Sequence, residues 1–69
     1  MMFYFFKRGE QFIRCELQTG DDQYQLKIVD PDGRESVEDF DTEEALTQRW
    51  SELQREYLRQ GWWGPHGRE

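Results

Sequence analysis

One cysteine, one histidine and two prolines are all that a chain of 69 residues carries of those types, and none of its apolar stretches approaches the length of a membrane span. Cys15 alone cannot close an internal disulfide, and without a CxxC or a Cys/His cluster there is no zinc staple either. Basic residues are outnumbered, 9 Lys and Arg against 15 Asp and Glu, for a formal charge of -6. That balance disfavours nonspecific attraction to phosphate backbones and anionic lipid, so nucleic acid is a disfavoured partner and no membrane partner is expected. Repeats and low-complexity linkers are missing too. The opening apolar run is shorter than a secretory signal requires, and Lys7 and Arg8 follow it instead of preceding it; the expectation is a cytoplasmic protein. A chain of this length buries only about 60% of the surface its unfolded form exposes. With no disulfide or metal to help, dense packing or self-association has to supply the remaining stability.

What is present reads as hairpins followed by one helix. Met2 to Lys7 is aromatic and bounded by Arg8-Gly9-Glu10, a strand and a tight turn. From Phe12 to Gln18, Ile13, Cys15 and Leu17 alternate with Arg14, Glu16 and Gln18, the period of a half-buried strand. After a turn at Thr19-Gly20-Asp21-Asp22, the same alternation runs through Tyr24, Leu26 and Ile28 up to Asp30. Asp30-Pro31-Asp32-Gly33 has the composition of a type I turn. Arg34 to Phe40, with Val37 as its one internal apolar residue, reads as an edge strand blunted by Glu35, Glu38 and Asp39. Asp41, as N-cap, is followed three residues later by Glu44, with Phe40 placed to staple Ala45. Acidic residues then fill the first helical turn, Arg55 and Arg59 lie near the end, and Gly61 stands at the C-cap. The predicted helix runs from about Thr42 to Gln60, with Leu46, Trp50, Leu53 and Tyr57 on one stripe. The fold class expected is α+β: an antiparallel sheet of three to four strands in the order β-β-β-β-α, with the helix on one face. Residues 1–61 form the domain and 62–69 a Trp-, Gly- and Pro-containing tail.

One helix covers one face. It can cover Ile13, Cys15, Leu17, Tyr24, Leu26 and Ile28 with one side of the first strand, either Phe3 and Phe5 or Tyr4 and Phe6. The other side, with Phe12 and Val29, is left as an apolar aromatic patch rimmed by Arg14, Glu16 and Lys27, and such patches mark partner surfaces. The expectation is a noncatalytic protein-interaction or regulatory module, a homodimer through this face or through strand pairing, with another protein partner left open. The alternative is that the tail folds back over the face and makes the core two-sided. The interaction residues singled out are Tyr4, Phe6, Phe12, Arg14, Lys27 and Val29, with Trp63, His66 and Arg68 from the tail, since Trp and Arg concentrate at binding hot spots.

No enzyme constellation is read, and no cofactor or metal. His66 stands alone in a Gly- and Pro-rich tail, and Cys15 lies on the apolar parity of its strand, where a small buried hydrophobe belongs. Asp30, Asp32 and Glu35 lack the spacing of a calcium loop. The six carboxylates between Glu35 and Glu44 suit edge protection and the helix dipole, with a basic partner as the other reading. Trp62, just after the glycine C-cap, is expected to pack on Leu58 or Tyr57.

Phe40-Asp41-Thr42-Glu43-Glu44-Ala45, then Arg49-Trp50, then Gly61-Trp62 and Gly64-Pro65-His66-Gly67-Arg68, resembles a group of short bacterial proteins of unknown function with a GWxGPxGR-like ending. The same half is similar to the second half of WGR domains, although the Trp-Gly-Arg strand is absent; that resemblance implies nucleic-acid or protein partners. The combination of Tyr4, Phe6 and Phe12 with Lys7, Arg8, Arg14 and Lys27 resembles the strands-plus-helix DNA-binding cofactors of whirly type. It implies the alternative function, single-stranded nucleic-acid binding by base stacking on sheet aromatics.

Overall fold

In the computed structural model, which describes residues 1–68, the chain runs β1 (Met2–Arg8), β2 (Gln11–Gly20), β3 (Gln23–Val29), β4 (Glu35–Phe40), α1 (Glu43–Arg59), β5 (Trp63–Arg68). All six elements belong to an α+β fold whose single antiparallel sheet has the order β4-β3-β2-β1-β5. The sheet therefore has five strands, one more than the upper expectation. Within the tail read as a separate segment from residue 62, Trp63–Arg68 form the fifth strand, paired to β1. β4 is an edge, as its carboxylates foretold.

Turn chemistry sets the register of the meander. A two-residue loop at Gly9-Glu10 pairs Arg8 with Gln11 and, counting outward, Phe6 with Ile13 and Tyr4 with Cys15. Asp21 and Asp22 take φ of 50° and 62° between Gly20 and Gln23, the two left-handed positions of a I′ hairpin, which aspartate tolerates. In the β3–β4 loop, the Asp30 carboxylate accepts from the backbone N–H of Asp32 and Arg34 at 3.0 and 2.9 Å, and Gly33 N–H donates to Asp30 C=O at 2.9 Å. This carboxylate therefore serves the turn.

α1 starts one residue later than the aspartate reading had it. Thr42, not Asp41, is the N-cap: its hydroxyl accepts from Ala45 N–H at 3.1 Å. Ala45 thus occupies the third helical position, so the reciprocal box through Glu44 does not form. At the other end, Gly61 N–H donates to Leu58 C=O and Trp62 N–H to Tyr57 C=O, with Gly61 at φ 88°. This is the paired-bond glycine cap with its apolar clasp, Trp62 on Tyr57 at 6.5 Å between ring centroids.

The core lies between the helix and one sheet face: Phe6, Ile13, Cys15, Leu17 and Leu26 from the strands, Leu46, Trp50 and Leu53 from the helix, and Trp62. Phe6 meets Tyr57 and Trp50 edge-on at 5.0 and 6.0 Å, and Tyr4 lies 5.0 Å from Trp50. Arg49 Nε donates to Glu38 Oε1 at 3.0 Å, tying the helix to β4. Among the described residues, no helix is long and apolar enough to cross a membrane.

β5 docks through glycine. A Cβ at Gly67 would stand 2.8 Å from the Tyr4 ring, and one at Gly64 would stand 2.9 Å from both the Phe6 ring and the Phe5 carbonyl oxygen. Two rings of β1 lie over the two glycines of the tail, a fit that a side chain at either position would block.

Candidate functional site

Strand parity places the sequence-identified residues in two groups. Tyr4 and Phe6, singled out as partner-facing, lie under the helix: Phe6 is fully buried and Tyr4 packs against the core. The reason is the two-residue turn, which puts them opposite Cys15 and Ile13, residues already committed to the core. Phe3 and Phe5 take the open side in their place, and the turn length in the sequence was the signal that could have assigned them.

The open face is a grid. Its first row is Trp63, Lys7 and Phe12; its second is His66, Phe5, Arg14, Val29 and Glu35. The third is the register position of Arg68, then Phe3, Glu16, Lys27 and Val37. Gln18, Gln25 and Asp39 close it. Phe12, Val29, Arg14 and Lys27 are thus on one surface, the grouping that the sequence suggested; Trp63 and His66, read from the sequence as a separate tail, join it because β5 extends that surface as an edge strand without folding over it. Phe3, Phe12, Val37 and Trp63 are 39%, 47%, 54% and 69% exposed.

The aromatic side of the grid is continuous. His66 stacks on Phe5 at 4.8 Å and meets Trp63 edge-on at 4.7 Å, while Phe5 reaches Phe12 at 5.9 Å. Lys7 Nζ lies 5.9 Å from the Phe12 ring centroid, a loose cation–π placement. His66, isolated in the sequence, is therefore a stacking residue between two rings.

The other side is charged but internally matched. Glu16 lies 3.7 Å from Arg14 Nε and 4.0 Å from Lys27 Nζ, and Lys27 pairs with Glu35 at 3.2 Å. Gln25 donates to Asp39 at 2.7 Å. Arg8 leaves this face altogether: its guanidinium donates to Gln60 C=O at 2.9 Å and lies 4.3 Å over the Trp62 ring, capping the helix C-terminus.

Reactive groups lie elsewhere and are muted. Burial pushes the Cys15 thiol from its ordinary value of 9.0 up to about 12, so the thiolate is not populated near neutral pH. Burial also raises the Tyr57 phenol to about 12. Among the described residues, no three His, Cys, Asp or Glu side chains converge to hold a metal ion. A shallow groove of about 420 Å³ runs along the outer helix between Arg49, Glu52, Arg55, Glu56 and Arg59, where Arg49 is within ion-pair distance of Glu52 and Glu56. It is separate from the aromatic face. Compared with protein families, curated proteins and solved structures, this chain finds no match in any of the three.

Proposed function

We propose that this chain is a small noncatalytic interaction module that self-associates through its open sheet face. The observation that carries the reading is the single layer. One helix covers one side of a five-stranded sheet, while the other side presents Phe3, Phe5, Phe12, Trp63 and Val37 with no second layer over them among the described residues. An apolar surface of that kind is a partner surface.

Strand pairing is the weaker route to association, because both sheet edges are blunted. β4 carries Glu35, Glu38 and Asp39, so a second β4 would meet like charges. β5 contains Pro65, which has no N–H to donate, and its pairing to β1 is already irregular between Phe5 and Lys7. The face remains.

Single-strand binding has the stacking rings, but two of the cations it would use, Arg14 and Lys27, are engaged by Glu16 and Glu35, and the chain carries -6 overall. Sedimentation equilibrium at micromolar concentration tests the proposal. The wild type is expected at twice the 8.5 kDa chain mass, and Phe12→Glu, at an exposed position, is expected as a folded monomer. A wild-type monomer, or a Phe12→Glu dimer, refutes it. A parallel titration with labelled oligothymidine in about 20 mM salt, where attraction is least screened, is expected to show no binding; salt-sensitive binding lost in Phe12→Ala would transfer the face to nucleic acid.

A further inference from the structure

We infer that the occupant of the open face is a second copy of this chain, laid face to face about a twofold axis that crosses the strands between the Phe3 row and the Phe5 row. The inference rests on the interaction-module reading and adds the geometry of the pair.

The argument is charge complementarity under symmetry. In a twofold interface, a residue that meets a second residue is met in turn by that residue's copy. An axis along the strands through β2, the middle strand, would set Arg14 against the partner's Arg14 and Glu16 against the partner's Glu16. An axis across the strands through either row repeats one of those clashes. An axis along the strands between β2 and β3 would set Glu16 against the partner's Lys27, but it puts Phe5 over the partner's Glu35 and leaves β5 facing nothing. Midway between the rows opposite charges meet with every strand facing its own copy. There Arg14 faces the partner's Glu16, Glu16 faces the partner's Arg14, and Phe3 and Phe5 face the partner's Phe5 and Phe3. Lys27 falls over the partner's Val29 and keeps its own Glu35 at 3.2 Å. Like-charge contacts across an interface are strongly disfavoured, which removes the axes through β2 and through either row; the cover given to Phe5 and β5 then favours the axis across the strands.

The area suffices. A paired block of about six residues by five strands, at ~3.3 Å per residue and ~4.8 Å per strand, projects to roughly 500 Å², and side-chain relief adds to that. That reaches the roughly 1,000 Å² in total, about 500 Å² from each partner, that a specific interface needs, and falls short of the standard size of about 800 Å² a side. The axis also runs the two sheets' strands antiparallel, within the aligned class of sheet packing, ~10 Å apart.

Two charge reversals and their mixture test this. Arg14→Glu alone turns both cross-contacts into carboxylate against carboxylate, and Glu16→Arg alone turns both into guanidinium against guanidinium. Each variant is expected to raise the dimer dissociation constant about a hundredfold. Mixed one to one, the two variants restore opposite charge at both contacts, and sedimentation equilibrium with one chain labelled is expected to recover a heterodimer. Single variants that dimerise like wild type, or a mixture that stays monomeric, overturn the arrangement. Isotope-filtered NOEs on the wild-type dimer need no variant to fold: Phe3 to the partner's Phe5 is expected, and its absence overturns the axis. Should wild type dimerise and Phe12→Glu break it while the charge pairs fail, the axis is wrong and the module reading stands; a monomeric wild type removes both.

Discussion

Gly67→Ala probes the contact on which β5 depends. The residue lies opposite Tyr4 in the β1–β5 pairing and does not adopt a positive φ, so an alanine there meets steric cost without backbone strain. The added methyl would stand 2.8 Å from Tyr4 Cε1 and 3.1 Å from Cδ1, well inside van der Waals contact. The ring cannot simply swing away, because Trp50 lies 5.0 Å from it. Overpacking of this kind costs about 1–3 kcal/mol, while the stiffer unfolded chain returns about 0.4–1 kcal/mol. A net loss of about 1–2 kcal/mol follows, and each kcal/mol is worth roughly 4–8 °C of Tm in a domain this small. Urea unfolding followed by tryptophan fluorescence measures it, at one protein concentration because association shifts apparent stability. In a Tyr4→Ala background the obstacle is gone, and Gly67→Ala should become neutral or slightly stabilising. An unchanged midpoint in the wild-type background, or an equal cost in both backgrounds, would refute the docking of tail glycine against β1 ring.

Alkaline titration reads the buried core. Cys15 and Tyr57 are both raised, from 9.0 and 10.0 to about 12, so between pH 9 and about 12 the folded state holds protons that the unfolded state has lost, and stability falls as pH rises through that window. Cys15→Val and Tyr57→Phe should each flatten the fall in urea midpoints from pH 8 to 11; an unchanged slope in both would show that neither burial matters. At the helix start, Thr42→Ala should cost about 1 kcal/mol and Asp41→Ala distinctly less, since the Thr42 hydroxyl accepts from Ala45 N–H. Urea unfolding in which Asp41→Ala costs more would return the cap to Asp41.

Short-range chemistry in the sequence determined the meander, the helix and half of the face. The alternation in β2 and β3 assigned Ile13, Cys15, Leu17 and Leu26 to the core, because one polar parity left no choice. The Leu46, Trp50, Leu53 stripe and the Gly61-Trp62 cap followed from helical spacing and from the freedom of glycine at positive φ. The sides of β1 were not legible from alternation, since both parities of MMFYFF are apolar and aromatic. Only pairing with a neighbour whose parity was settled separated Phe3 and Phe5 from Tyr4 and Phe6. The fifth strand was hidden for a different reason. Trp63–Arg68 holds two glycines and a proline, a composition of low strand propensity, and its place is set by the fit of Gly64 and Gly67 beneath rings at the far end of the chain. Local propensity carries no information about such a contact, so where the tail lies, and with it the extent of the open face, was decided by tertiary structure alone.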